Sequence, residues 1–251
     1  MPTLTASNVR KIYRTNAREV HALEDITFSV EENEFVTLVG PSGCGKSTLL
    51  KIMGGLMELT AGEVSFKGQP VLGPRRDIGI MFQTPVLFDW RTTLENVLLP
   101  AEVLGMDPAA SRNRAREVLN MVELQGFEDS YPYQLSGGMQ QRVSLSRVLM
   151  YEPDLLLMDE PFGALDEFTR ERLNLEIQRI WMRERKTILF VTHNIIEAVF
   201  LSDQVMVMTP RPGRLARVVR VPFPRPREIR LMKSPEFASL VFEIREVLGL
   251  A

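Results

Sequence analysis

The chain is predicted to be an α/β protein with a mostly parallel central sheet, on three observations. An apolar run, Phe35-Val36-Thr37-Leu38-Val39, leads into a glycine-rich turn and then a helix-like run, Thr48-Leu49-Leu50-Lys51-Ile52-Met53. The runs Leu155-Leu156-Leu157-Met158 and Thr187-Ile188-Leu189-Phe190-Val191 are almost wholly apolar, as strands buried on both faces are. Between them Leu173, Ile177, Ile180 and Trp181 recur at helical spacing. Buried strands alternating with helices imply a sheet with right-handed crossovers.

From the start, residues 4–39 read as strands: Leu23, Ile26, Phe28 and Val30 largely alternate, and Glu31-Glu32-Asn33-Glu34 is a turn before Phe35. After the glycine turn, Gly54-Gly55 and Thr60-Ala61-Gly62 punctuate the chain, and residues 63–66 and 78–82 read as further strands. From 94 to about 121 the pattern turns helical. Asp107-Pro108 fits a helix start, and Ala115, Val118, Leu119 and Val122 follow at helix spacing. A helix is expected over 139–150. Strands are expected over 205–208 and 216–219, joined through Pro210-Arg211-Pro212-Gly213. Phe237, Leu240, Val241, Ile244 and Leu248 form a last amphipathic helix, capped by Ser234 with Pro235 in its first turn and expected to dock on the main body.

With 251 residues and 45% hydrophobic content, the chain can bury one large core or two small ones. A formal net charge of −2 supplies no basic field of the kind non-specific nucleic-acid binding depends on, so nucleic acid is not an expected partner. One cysteine excludes an intrachain disulfide and a cysteine-rich metal site, and fits a reducing compartment. Met1-Pro2-Thr3-Leu4-Thr5 has neither the basic start nor the apolar stretch of a signal peptide. Since no apolar run approaches the roughly 18 residues of a membrane helix, a span would have to come from another chain.

The chemistry concentrates on Gly40-Pro41-Ser42-Gly43-Cys44-Gly45-Lys46-Ser47-Thr48. Strand, glycine loop and helix in this order make a phosphate cradle: glycines let backbone amides approach phosphate oxygens, and the helix points its positive end at the same anion. Lys46 is expected to reach the β- and γ-phosphates and Ser47 to ligate Mg²⁺. A glycine turn that merely precedes a lysine is the plainer alternative, and the flanking strand and helix argue against it. Asp159 and Glu160 end a buried strand with diverging side chains. Asp159 is placed to hold Mg²⁺ and Glu160 to orient and polarise an attacking water. Gln83 follows a strand directly and could touch Mg²⁺ or that water, while His193 ends another strand where a ring nitrogen could bond the γ-phosphate. Either could instead be an ordinary loop or strand-edge residue. Cys44 sits where the helix end should favour its thiolate, so alkylation is expected to block nucleotide. Finally, Ser136-Gly137-Gly138 opens a helix and forms a second anion site in the same chain, best used on a nucleotide held by another copy.

Taken together these residues resemble the ATP-binding subunit of an ABC transporter over almost the whole chain. Residues 40–48 resemble its Walker A, Gln83 its Q-loop, 135–142 its signature, 155–160 its Walker B, Gly163-Ala164-Leu165-Asp166 its D-loop and Thr192-His193 its H-loop, each in the family's order. Tyr13 stands where the family stacks an aromatic on adenine. The resemblance implies a P-loop NTPase fold with a RecA-like core sheet, an antiparallel β subdomain and a helical subdomain near 86–150, the ATPase domain covering 1–233 and a C-terminal helix 234–251. It implies ATP and Mg²⁺, with catalytic roles for Glu160, His193 and Gln83, metal contacts from Ser47, Gln83 and Asp159, and nucleotide contacts from Tyr13, Gly40 to Thr48, and Ser136 to Gly138. The implied partners are a second copy closing an ATP sandwich, transmembrane permease subunits and, indirectly, a periplasmic or lipoprotein solute-binding protein, which would place the chain at the cytoplasmic face of a prokaryotic inner membrane. Residues 88–97 and 210–227 are similar to importers of the nitrate, sulfonate and taurine type, although Met139 and Asp89 stand where many relatives have Gln and Pro. Against a DNA tether, the stretch between Gln83 and Ser136 is too short for a long coiled coil; against a ribosome-acting relative, there is a single Gly-Lys-Ser; against a GTPase, no Asn-Lys-x-Asp occurs. An exporter subunit is the nearest alternative.

Overall fold

The computed structural model describes residues 2–14, 18–163 and 165–250. Its elements run in the order β1 (Leu4–Arg14), β2 (Glu19–Val30), β3 (Phe35–Val39), α1 (Lys46–Met53), β4 (Ala61–Phe66), β5 (Gln69–Pro70), β6 (Ile78–Met81), α2 (Thr93–Leu104), α3 (Pro108–Met121), α4 (Gly137–Leu149), β7 (Leu155–Asp159), α5 (Glu167–Glu184), β8 (Thr187–Thr192), α6 (Ile195–Leu201), β9 (Gln204–Met208), β10 (Leu215–Arg220) and α7 (Pro235–Val247). Two sheets form, one antiparallel in the order β2-β1-β4-β5, the other in the order β10-β9-β3-β8-β7-β6. In the second sheet only β10 pairs antiparallel; β9, β3, β8, β7 and β6 run the same way.

The apolar strands are buried on both faces because each side chain parity feeds a different core. Leu155 and Leu157 of β7, Leu189 and Val191 of β8 and Val36 and Leu38 of β3 pack toward α1 and the antiparallel sheet. Leu156, Met158, Ile188, Phe190, Phe35 and Val39 face the other way, into the core shared with the helices that follow. Helix α1 therefore lies between the sheets, with Leu49, Leu50, Ile52 and Met53 buried.

The helical stretch beginning at 94 is two helices, the second starting at Asp107-Pro108 as expected. Thr92 and Glu95 close a reciprocal capping box on α2, Gly105 ends that helix in the left-handed conformation at φ +65°, and Asp107 caps α3 with Pro108 at its first position. Sequence periodicity also passed over α6, a helix of 7 residues. The carbonyls at its end, left without intrahelical donors, find a distant partner, Arg227, whose buried guanidinium donates to those of Val199, Phe200 and Ser202. Burial lowers that guanidinium to about 9, so it stays protonated at neutral pH. Helix α7 is capped by Ser234 as expected and buries Phe237 and Ile244, while Phe242 stays exposed. Among the described residues no helix is long and apolar enough to cross a membrane.

Candidate functional site

Strand register gathers the chemistry. Val39 pairs with Thr192, Asp159 with Val191 and Met81 with Met158, so the carboxyl ends of β3, β8, β7 and β6 stop along one edge of the sheet. The residues that follow those ends are the glycine loop, His193, Glu160 and Gln83. Parallel sheets present their ligands at such an edge.

The loop reaches its shape through two left-handed glycines, Gly43 at φ +75° and Gly45 at φ +110°. A Cβ on Gly45 would lie 2.7 Å from the Leu23 side chain and 3.0 Å from the Ala22 carbonyl oxygen, so both angle and space demand glycine. Lys46 is buried, and its Nζ donates to the carbonyls of Gly40 at 2.8 Å and Pro41 at 3.2 Å while lying 3.9 Å from a Glu160 oxygen. The Ser47 hydroxyl donates to Asp159 Oδ1 at 2.8 Å. Burial raises the Asp159 carboxyl above its ordinary value, and the Ser47 bond works against that rise. Two hard oxygen groups side by side at the cleft are a donor set that suits a hard divalent cation such as Mg²⁺.

Glu160 adopts φ +44°, unusual for a glutamate, and its backbone N–H donates to the Val191 carbonyl. The turn swings its side chain away from Asp159, and Oε2 meets His193 Nδ1 at 2.9 Å. With a carboxylate opposite, the hydrogen is assigned to Nδ1. Gln83 contributes to the cleft, and its backbone carbonyl accepts from Gln141 Nε2 at 2.8 Å, a tie from α4. Tyr13 lines the far end; its hydroxyl lies 3.2 Å from Thr48 Oγ1 and 3.1 Å from Met57 Sδ, while Lys11 Nζ stands 5.3 Å from its ring centre. The cleft has a volume of about 530 Å³ and a wall that includes Ser42, Gly43, Gly45, Lys46, Ser47, Thr48, Gln83 and Glu160.

Ser136, Gly137 and Gly138 do not line this cleft. Ser136 caps α4, its Oγ accepting from Met139 N–H at 3.3 Å, and Gly138 is held close to α5, where a Cβ would come within 2.9 Å of Thr169. Asp166 caps α5, and Ala164, in the stretch similar to a D-loop, lies outside the described residues.

The expectation for Cys44 is corrected. Its side chain is 1% exposed, packed behind the loop beside Gly40, and burial pushes the thiol up despite the opposing charge of Lys46. The Lys46 and Cys44 backbone N–H groups at the helix start also pull the thiol down, but loss of water around the buried sulfur outweighs them. Sequence reasoning also missed Arg211, which lines the cleft from the β9–β10 turn, and Glu197, buried on α6 beneath His193. Arg211 gives no local signal because it reaches the loop from an element distant along the chain, whereas Glu197 follows His193 by four residues on a helix too short to show an amphipathic period.

With this geometry in place, comparison with known proteins decides the family. The family model for the ABC transporter matches residues 23–163. The chain belongs to the ABC transporter family. The taurine import ATP-binding protein TauB of Pelagibacter ubique is 43% identical over 97% of this chain and 94% of its own length. The aliphatic sulfonates import ATP-binding protein SsuB of Bacillus cereus is 42% identical over 99% and 98%. Among solved structures, the dimeric MJ0796 ABC transporter cassette superposes with a TM-score of 0.78 at 35% identity, covering 88% of this chain and 99% of that one, and a post-hydrolysis state of the same cassette holds ADP and Pi. An ABC ATPase of this kind binds ATP and couples its hydrolysis to transport.

Proposed function

We propose that this ABC ATPase energises an importer of a small solute, of the taurine, sulfonate or nitrate kind, by closing on ATP as a homodimer beneath separate permease subunits at the cytoplasmic face of a prokaryotic inner membrane. The observation that carries the reading is the division of labour within one chain: Lys46, Ser47 and Glu160 line one cleft, with Asp159 bonded to Ser47 and His193 to Glu160, while Ser136 caps a helix outside it. A second copy turned head to tail brings its Ser136 turn, with Gly137 and Gly138, to the outer face of the phosphates.

In this reading Tyr13 stacks on the adenine, and the amides of residues 40–48 with Lys46 bind the phosphates. Ser47 and Asp159 would hold Mg²⁺, with Gln83 beside them, and the ion would supply charge neutralisation on the phosphate oxygens. Glu160 accepts a proton from water as its oxygen attacks the γ-phosphorus, the bond from that phosphorus to the β–γ bridging oxygen breaks and ADP leaves with the electron pair, and His193 keeps Glu160 aimed through the Nδ1 bond. Moving a two-state transporter from about 1:99 to 99:1 takes about 5.5 kcal/mol. An ATP present at about a thousand times its dissociation constant for the closed state supplies about 4 kcal/mol, so two sites suffice where one does not.

Support for a permease partner comes from a groove of about 430 Å³ between β6 and the helices, lined by Arg76, Leu99, Val103, Arg147 and Tyr151, with Val103 75% exposed. Beside α2, Trp90 stacks on Phe88 at 4.9 Å and is itself 74% exposed. Import is tested by deleting the gene and supplying taurine, an alkanesulfonate or nitrate as sole source of sulfur or nitrogen. Loss of growth on one of them, restored by the wild-type gene and not by Glu160→Gln, is expected. Unimpaired growth on all, with new sensitivity to an exported compound, would assign the chain to an exporter.

A further inference from the structure

The turn between β9 and β10 grips the phosphate loop at the rim of the cleft. Arg211 donates through Nε at 3.2 Å and through Nη2 at 2.9 Å to a single acceptor, the carbonyl oxygen of Gly43. Gly213 is wedged against the next residue, since a Cβ there would stand 2.1 Å from the Cys44 carbonyl oxygen. The turn is itself fixed to β2: Gly213 N–H donates to the Ala22 carbonyl at 3.0 Å, Glu24 N–H to the Gly213 carbonyl at 2.9 Å, and Arg214 pairs with Glu24 at 2.7 Å. Arg211 thus reaches the loop from a braced platform.

We propose that Arg211 is a positioning residue for nucleotide binding: by anchoring the Gly43 carbonyl, it holds the Gly43–Cys44 peptide in one orientation, with the Cys44 N–H turned to the opposite side and available to phosphate. The reasoning is geometric. In a trans peptide the C=O and the following N–H point in opposite directions, so fixing one fixes the other. The Cys44 N–H accordingly points away from Arg211 and lies 3.3 Å from the Pro41 carbonyl, a long bond that a phosphate oxygen can replace. Gly43, at φ +75°, is also where the loop resists rotation least, because glycine has open conformations on both sides of φ. A flipped Gly43–Cys44 peptide presents a carbonyl where the phosphate needs a donor. A charged guanidinium on that carbonyl opposes the flip, and hydrogen bonds to charged groups are stronger than neutral ones.

This inference rests on the phosphate-loop reading, and the test separates the two. Equilibrium ADP and ATP binding, KM for ATP, kcat and the nucleotide-free unfolding midpoint are measured for the wild type, Lys46→Ala, Arg211→Ala, Arg211→Lys and Arg211→Gln. Arg211→Ala is expected to raise Kd and KM by about tenfold, the size of one lost charged hydrogen bond, with kcat within about twofold and the midpoint little changed. Lys and Gln each keep a donor for the Gly43 carbonyl and should each recover part of the affinity. Binding by Arg211→Ala equal to the wild type overturns the inference. Recovery by Lys alone, vanishing in about 0.5 M salt, also overturns it, since that outcome marks simple charge attraction in the cleft. Equal loss of kcat and stability overturns it in favour of a general folding role. If Lys46→Ala binds as tightly as the wild type, the phosphate-loop reading falls, and the anchor with it.

Discussion

Cys44 shows how far a single side chain can depart from what its neighbours in sequence promise. It lies two residues before Lys46 at the start of α1, yet its sulfur is buried and its thiol is held in the protonated form by that burial. Being the one cysteine in the chain, it gives a clean readout. In the folded protein at neutral pH, its reaction with an alkylating reagent is expected to be at least about a hundredfold slower than in denaturant, because the sulfur must wait for local opening. A native rate close to that of the unfolded chain would show the thiol to be exposed. Glu160 makes the opposite case, for its place after an apolar strand already suggested its role. What the sequence could not supply was the φ of +44° that parts it from Asp159 and brings it to His193. Strained backbone of that kind persists where the surrounding structure over-determines it.

At the scale of elements, α4 and α5 are joined by a buried ion pair. Arg142 lies one turn beyond Gly138, and its Nη2 is 3.1 Å from Glu176 Oε2 on α5. Glu123, 3.8 Å from Arg142, also pairs with Arg172, so the end of α3 joins the same network. Desolvation is the largest influence on Glu176 and raises its carboxyl from 4.5 to about 7 against the pull of Arg142. The sign follows: between those values the native state keeps a proton that the unfolded chain has released, so this group's contribution makes stability fall as pH rises from about 4.5 to about 7. The full shift corresponds to at most about 3 kcal/mol. Glu176→Gln should flatten the decline in urea midpoint between about pH 5 and about pH 7 relative to the wild type. Parallel pH profiles for the two proteins would remove Glu176 from the account. Most elements were legible beforehand because their signals are local, such as Asp107-Pro108 before α3 and Ser234-Pro235 before α7. Helix α6 was not: it spans 7 residues, is largely buried, and has its carbonyl end satisfied by Arg227, so no amphipathic period is written into it.

For the whole molecule, the proposed motor is incomplete in one copy, because the Ser136 turn and the cleft belong to different surfaces. The chain of 28.6 kDa is therefore expected to be monomeric without nucleotide, while Glu160→Gln with ATP should scatter as a particle of about twice that mass. The same variant should bind ATP as the wild type does and hydrolyse it at least about a hundredfold more slowly, the usual span for losing a positioned base. A stable nucleotide-free dimer would remove ATP as the closing force, and turnover at the normal rate would move the base elsewhere.

The amino-acid sequence alone determined the α/β class, the glycine loop between strand and helix, the paired acids at a strand end and the second glycine turn. Each of these is carried by residues close together in the chain, where spacing and local conformation are enough. Only the tertiary structure decided that the Cys44 thiol faces a core, that Glu160 meets His193 while Asp159 meets Ser47, and that Arg211 braces the loop from 168 residues away. Those outcomes depend on which strands lie side by side and on what register they share, and strand pairing across such distances leaves no mark on the sequence near either partner.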